Sequence, residues 1–591
     1  FRIMILLTGA FTAPDAQLPN IFTADGTSPE TKLFPGTTTP SAALRGHNKS
    51  CCFCDAQEFM TFFCGSLGNL PELCRQAALP CGSNEAEVIS SLLCGGTLLQ
   101  GVLPRLNGGF VLARLNRQSG EWQLARDRWG KMPLYRRFRN QYGTITFSTS
   151  PAALADEDDA LSREGLAAYL HLGVIPAPFT IHQEVSAVPA ASIVSGRLGS
   201  GEIRTERWWN PTFNGSPFTT AEDAADALLP LLRASVERAL NAPGTKGMLL
   251  SGGIDSGIIA AVAAKYFPDS GLSALTLAVD GNEDESRLAA LTAAHLKMPL
   301  KTFRLQPEML PGLMNQVIAE AGVPFGNSSL AATAAALDAL GTDNVLMGDG
   351  GDELFGGYRR YQAMLLRQRI PAALTALMSP VLKPLAAGRT SLARTARSLT
   401  LPPLQAYTSF LAITGTAQIS KLMTGDDCTA HLDYWENALA ELGVSGALRW
   451  NMLDLMHYLP DDGCRKLEYA ARGNCCIHTP MLDNAVGDLA DELPQQMRFS
   501  ASRRKIVLRA LASRLLPPEI LSAPKRGFGI PVSRWLRNEL APETRQLPEK
   551  LRRSRLQKLL SPEATELIIR EHLAGRADHG QLLWALMCCG E

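Results

Sequence analysis

No run of about 18 apolar residues occurs in the chain, so a membrane-crossing helix is not expected. Charge of one sign is also missing. Lysine plus arginine number 57 and aspartate plus glutamate 57, which removes any whole-chain pull toward nucleic acid or an anionic membrane. Neither partner is expected. The opening residues, Phe1 to Leu7, hold an apolar core too short for a secretory signal, read instead as a strand, and lack an initiator methionine. Without an export signal, the 13 cysteines are expected as reduced thiols in a cytoplasmic protein, not as a disulfide framework. Cys51 and Cys54 have CxxC spacing, but Cys64 and Cys74 do not supply the second pair that a zinc site wants. What is present is ordinary: 46% apolar and 19% charged residues exclude a disordered or fibrous chain. At 591 residues the chain exceeds one core, so two domains are expected.

The character of the chain changes near residue 210. Residues 1–210 carry short strand-like runs between turn signals, such as Gly109–Ala113 and Ile145–Ser148, and predict an antiparallel α+β domain. Residues 211–591 begin with helical periodicity over Ala221–Leu240. Short strands then alternate with helices (Lys246–Leu250, Ile258–Phe267, Leu272–Val279, Glu285–Leu296, Asn344–Met347). That alternation predicts βαβ units and a parallel sheet, followed by a mostly helical extension. Residues 384–403, with Gly388 and Pro402-Pro403, read as an exposed connection.

Two loops carry the chemistry. Met248-Leu249-Leu250 runs into Ser251-Gly252-Gly253-Ile254-Asp255-Ser256, and a helix follows. Adjacent glycines allow a tight turn with exposed N–H groups, and the helix directs its positive end at the same spot. Ser251 and Ser256 add hydroxyl donors. Asp255 would repel phosphate, so its expected role is to hold Mg²⁺. No Lys-Ser/Thr follows the glycines, which excludes a Walker A loop. The match is to the SGGxDS pyrophosphate loop of enzymes that split ATP between its α and β phosphates. The second loop is Gly348-Asp349-Gly350-Gly351-Asp352-Glu353, after a later strand. Crowded carboxylates are costly unless a cation sits among them, so Asp352 is a candidate second Mg²⁺ ligand.

Together these loops resemble the asparagine synthetase family. Leu106–Phe110, Ala125–Tyr135 and Tyr169–Pro176 are similar to that family's N-terminal domain, and Ala523-Pro524-Lys525-Arg526-Gly527-Phe528-Gly529-Ile530-Pro531 to its late lysine segment. The resemblance implies an N-terminal Ntn-hydrolase-like glutaminase fold (1–210) and a C-terminal ATP-pyrophosphatase domain (211–591). It implies ATP at Ser251, Gly252, Gly253, Asp255, Ser256 and Gly348, with Mg²⁺ on Asp255 and Asp352. A substrate carboxylate attacks the α-phosphate, and pyrophosphate leaves toward Lys525. An amine, relieved of a proton by Asp349 with Asp462 nearby, then displaces AMP. Asp462 and Arg465 match by spacing an acidic–basic pair that faces the family's synthetase site.

The departures matter as much. Family glutaminases begin with a nucleophilic cysteine, where this sequence has Phe1. The family's Asn-Gly-Glu and Ser-Asp-Thr-Glu glutamine-binding segments correspond to Cys64-Gly65-Ser66 and Asn84-Glu85-Ala86-Glu87. Its later Glu-x-Arg becomes Cys476 and His478, the latter expected as a structural substitution more than as a base. A dead glutaminase domain is therefore expected, as in relatives that close rings with an amine already on the substrate. A lasso-type macrolactam is the first product expected and a β-lactam the second. Asp349 stands where β-lactam synthetases carry tyrosine. The alternatives are asparagine synthesis from ammonia or glutamine and, in another class, an inactive nucleotide-binding protein. The expected partners are a small-molecule or peptide carboxylate, a precursor-processing protease and a second copy in a homodimer.

Overall fold

The computed structural model describes residues 7–12, 31–34, 41–46, 51–56, 58–139, 143–213, 215–281, 284–385, 391–424, 429–523 and 529–589. In the N-terminal part the strands are β1 (Leu7–Thr12), β2 (Thr31–Phe34), β3 (Ser41–Gly46), β4 (Cys51–Asp55), β5 (Phe59–Leu67), β6 (Gly108–Asn116), β7 (Glu121–Arg126), β8 (Tyr135–Arg139), β9 (Thr144–Ser148), β10 (Ser186–Ala187), β11 (Ser192–Arg197) and β12 (Ile203–Arg207). They form two antiparallel sheets, in the orders β10-β8-β9-β1-β3-β2 and β12-β11-β7-β6-β5-β4. Alternation along each strand builds two cores. Phe11, Phe62, Trp122 and Phe147 fill the space between the sheets. Phe63, Phe110 and Leu112 pack beneath helix Glu85–Leu92. This is the Ntn-hydrolase-like α+β architecture expected of the N-terminal part.

The C-terminal part is α/β with a helical extension. Its strands β13 (Lys246–Leu249), β14 (Ser273–Ala278), β15 (Leu300–Arg304), β16 (Asn344–Leu346) and β17 (Cys476–His478) form one parallel sheet in the order β15-β14-β13-β16-β17. Helices cover both faces. Ala221–Leu240, Ile254–Tyr266 and Ile506–Ala512 lie in one core, and Leu310–Ala321 and Ser329–Leu340 in the other. One expectation needs correction. Residues 391–400, read as exposed connection, form helix Ser391–Thr400, which packs on helix Ala372–Leu385. The stretch near residue 460 is helical, within the expected helical extension, as a wide-turned π-helix over Asp454–Cys464.

A buried network braces that wide helix. The Arg360 guanidinium donates to Asp454 Oδ2 from Nη2 at 2.6 Å and from Nε at 2.9 Å, and Tyr361 donates to the same oxygen. Asp454 is fully buried. Burial raises its carboxyl pKa, and the cation opposes that rise.

Candidate active site

In an open parallel sheet, ligands bind at the carboxyl ends of the strands where the order reverses. Here that place lies between β13 and β16, which run side by side with Met248 opposite Leu346. Both chemical loops leave from these two strand ends. In the first, the Ser251 and Ser256 hydroxyls bond to one another at 2.9 Å, and the Gly253 N–H donates to Ser251 Oγ at 3.1 Å. The hydroxyls thus brace the loop. The second loop presses onto the first: a Cβ on Gly348 would lie 2.5 Å from the Ser256 backbone nitrogen, and one on Gly351 2.7 Å from Asp255 Cγ. Only glycine permits that approach.

The approach sets charges against one another. Asp255 Oδ2 and Asp352 Oδ1 both meet the Lys505 ammonium, at 2.5 and 2.8 Å. Burial alone would depress the pKa of that ammonium, but Asp255 and Asp352 outweigh burial and hold it above the ordinary lysine range. Lys505 enters from a left-handed backbone position, φ 52°, immediately before helix Ile506–Ala512. Such a conformation costs a residue with a Cβ on the order of 1 kcal/mol.

Deeper in, Lys466 Nζ pairs with Asp349 Oδ1 at 3.0 Å. Asn327 Nδ2 donates to Asp462 Oδ1 at 2.7 Å. Burial raises the Asp462 carboxyl pKa, and the Asn327 hydrogen bond and Lys466 oppose the rise. Glu353 is pushed up to about 7 by burial and by neighbouring Asp352, while accepting a 2.6 Å hydrogen bond from the Tyr358 hydroxyl. All these groups line one open cavity of about 430 Å³. A larger cleft of about 1030 Å³ opens on the N-terminal domain beside Phe59, Arg114 and Trp122. It shares no residue with the first and contains none of the charged groups just described.

Ser251, Gly252, Gly253, Asp255, Ser256, Gly348, Asp349, Asp352 and Asp462 are therefore brought together. Lys525 lies outside the described residues, but Ala523 and Gly529, which flank its segment, both line the cavity. Arg465 does not join the site. It is turned away, donating to the Ile175 carbonyl at 2.8 Å and pairing with Asp461 at 3.0 Å, while Asp461 accepts from the Ala177 N–H. Consecutive aspartates at the end of Asp454–Cys464 serve different places, Asp462 the cavity and Asp461 the domain contact. Lys466, one residue later than expected, takes the cationic place. His478 sits on β17 with Nε2 3.0 Å from Asn344 Oδ1, and burial lowers it to about 4. It does not line the cavity. Sequence reading missed Lys505 and Asn327. The only available signal for Lys505 was the basic run Arg503-Arg504-Lys505 ahead of an apolar-periodic helix.

The N-terminal counterparts have other duties. Cys64 is fully buried between the sheets, its sulfur 2.7 Å from Cys51. Asn84 caps helix Glu85–Leu92, with Glu87 completing a capping box. Cys51 and Cys54 pack into different cores, on opposite sides of one strand as the period of two requires. They cannot share a zinc ion from those positions.

The donor set fits the groups that the motif implies. Two hard carboxylates at one spot suit Mg²⁺, which ordinarily takes one or two carboxylates plus substrate phosphates. Asp255 and Asp352 would hold it. The glycine loop at a helix N-terminus, with Lys505 beside it, suits a polyphosphate.

Fold and site define the class: an α/β nucleotide-dependent ligase domain joined to an amidotransferase-type domain. The asparagine synthase family model matches residues 227–589 and the glutamine amidotransferase domain model residues 61–209. The chain belongs to the asparagine synthase family, whose members are ATP-dependent amide ligases. A Mycobacterium bovis protein provisionally named a glutamine-hydrolysing asparagine synthetase is 29% identical over 515 residues, 82% of this chain and 76% of its own. A Bacillus subtilis asparagine synthetase is 24% identical over 498 residues, 82% and 77% of the two chains. A Bacillus subtilis glutamine phosphoribosylpyrophosphate amidotransferase structure aligns at 12% identity over 58% of this chain and 75% of its own, with a TM-score of 0.22, and adds nothing to the assignment. No helix among the described residues is long and apolar enough to cross a membrane.

Proposed function

We propose that the protein adenylates a substrate carboxylate and joins it to an amine of the same substrate, releasing AMP and pyrophosphate. A peptide macrolactam of lasso type is the first choice of product and a β-lactam the second. The observation that carries amide ligation is the meeting of Asp255 and Asp352 on Lys505 beside the glycine loop. The Ser251–Ser256 loop, at the N-terminus of its helix, would hold the ATP phosphates. Lys505, with Lys525 from the adjoining segment, meets the charge that builds as pyrophosphate leaves. Asp255 and Asp352 would hold Mg²⁺, which would supply neutralisation of phosphate charge.

For the second half-reaction, Asp349 accepts the proton of the attacking amine, and Lys466 holds that carboxylate in place. Asp462, fixed by Asn327, orients the amine. Loss of the glutamine route is supported by Cys64 and Asn84, which stand where the family reads glutamine and are committed to a core and a helix cap.

The names of the relatives favour a second reading, asparagine synthesis. One experiment separates the two. The pure protein is offered ATP with aspartate plus ammonia or glutamine, or with peptides bearing an internal carboxylate and a free N-terminus. The cyclase reading expects pyrophosphate exchange and loss of one water from a peptide, and no glutamate from glutamine. Asparagine formed at a comparable rate overturns it.

A further inference from the structure

The balanced charge of the whole chain hides a local imbalance. Between Leu354 and Gly425 there are nine arginines and lysines and no aspartate or glutamate; Arg360 is spent on buried Asp454 and Arg367 on the Ser398 carbonyl, while Arg359 and Arg369 are exposed. This stretch contains helices Arg359–Gln368, Ala372–Leu385 and Ser391–Thr400. Among the described side chains, the exposed ones of Ala372–Leu385 are all apolar: Leu374, Leu377, Met378, Pro380, Val381 and Pro384. Leu377 is 76% exposed and Val381 72%. Positions 374, 377, 378 and 381 follow i, i+3, i+4, i+7 spacing, so they share one stripe along the helix. Leu366, on the preceding helix, is also exposed at 47%, and the Arg369 side chain is exposed between them.

We propose that the exposed stripe of helix Ala372–Leu385, with Arg369 just ahead of it, docks on an anionic membrane surface. Two features select a bilayer over a peptide. Leu377 and Val381 project outward at 76% and 72% exposure, with Leu374 at 46% beside them. Peptide recognition by an apolar helix face usually seats one partner in a groove of the other, whereas a projecting stripe suits insertion among lipid headgroups. Exposed Arg369, just ahead of the stripe, and Arg359 on the preceding helix then complement acidic lipid, and basic residues near such a surface each add to the attraction. The proposal is independent of which amide the active site makes, and it replaces the expectation of no membrane partner.

The test is co-sedimentation of the full chain with vesicles of phosphatidylcholine alone or with about one-third phosphatidylglycerol, at low and high salt. Wild type should partition onto the acidic vesicles and be released by salt. The double substitution Leu377→Glu/Val381→Glu should lower partitioning by about tenfold or more, with melting temperature and pyrophosphate exchange unchanged. Arg369→Glu, a single exposed change, should lower it several-fold and covers the case in which the double variant misfolds. Equal partitioning of wild type and variants overturns the proposal. So does wild type that ignores acidic vesicles, whether it instead binds an acidic peptide through this hairpin or forms a dimer that Leu377→Glu dissociates.

Discussion

Two clusters of polar side chains, one in each domain, use their hydrogen-bonding capacity in opposite ways. In the C-terminal domain, Asp255, Asp349, Asp352, Asp462, Lys466 and Lys505 meet each other across an open cavity. Their bonds are between side chains, so a ligand can replace them. In the N-terminal domain the groups bind backbone. Arg126 donates to the carbonyls of Gly130, Met132 and Val188, and Asp127 accepts from the N–H groups of Phe110, Trp129, Lys131 and Met132. Asn84 and Glu87 cap a helix. Polar side chains bonded to backbone specify a fold; those bonded to one another around a cavity are available to chemistry. The comparison therefore predicts loss of turnover without loss of stability in one cluster, and the reverse in the other.

The largest effect is expected at Asp255. Asp255→Asn keeps the shape of the loop but removes one of the two charges facing Lys505 and the proposed metal. Turnover should fall by about 1,000-fold, roughly 4 kcal/mol, with the melting temperature within a degree or two of wild type. A parallel loss of stability would move Asp255 to the structural class and break the comparison.

The contact between the two parts offers a second effect, read through pH. His171, on helix Arg163–Leu172, and His431, on helix Ala430–Glu441, lie with Nδ1 and Nε2 2.8 Å apart. Burial lowers His171 to about 4; burial and the neighbouring imidazole lower His431 to about 3. Both folded values lie below the unfolded value near 6.5. Between those limits the unfolded chain binds more protons. Stability is therefore full above about pH 6.5 and is lost as pH falls toward 4, by up to about 3 kcal/mol per imidazole. Urea midpoints at pH 7 and pH 5 should differ in wild type. In His171→Phe/His431→Phe the difference should shrink, and an unchanged slope would remove the pair from the account.

How much of this could be read in the sequence follows from where the information is stored. Ser251–Ser256 and Gly348–Glu353 are contiguous, so spacing and residue type were enough to find the loops and their carboxylates. Lys505 and Asn327 reach the site from distant elements, and a single lysine or asparagine has no spacing to betray it. Arg465 was placed by the family's spacing of three from Asp462, whereas in this chain Lys466, four residues on, reaches the cavity. Strand β17 is three residues long and is defined by its parallel partner β16, a tertiary fact. Helix Ser391–Thr400 was hidden by flanking Gly388 and Pro402-Pro403, which punctuate its ends without breaking its interior.

A smaller effect sharpens the comparison inside the C-terminal cluster. Asp349 is proposed to act on the amine after adenylation. Asp349→Ala should lower amide formation by about 10- to 100-fold, within the usual range for general-base loss, and pyrophosphate exchange by much less. It also leaves Lys466 without its partner, so Lys466→Met is the matching control. If both variants lose exchange as heavily as amide formation, Asp349 and Lys466 serve the nucleotide and the two halves of the cavity are not separate.

The smallest effect tests the N-terminal cluster. Asn84 Oδ1 accepts the Glu87 N–H at 3.0 Å, and Glu87 Oε2 accepts the Asn84 N–H at 3.1 Å. Each group satisfies a helix-end donor that would otherwise rely on water. Asn84→Ala removes the first bond and should cost about 1 kcal/mol, a fall of roughly 2–4 °C if the N-terminal domain melts as a unit of some 200 residues. Asn84→Asp or Asn84→Ser should restore most of it, since both side chains cap. Amide formation should not change in any of the three. If Asn84 read glutamine instead, wild type would release glutamate and Asn84→Ala would reduce that release, while the two capping variants would fail to restore it. Stability restored by Asp or Ser with no glutaminase in any variant marks Asn84 as a helix cap, and a domain kept for its shape.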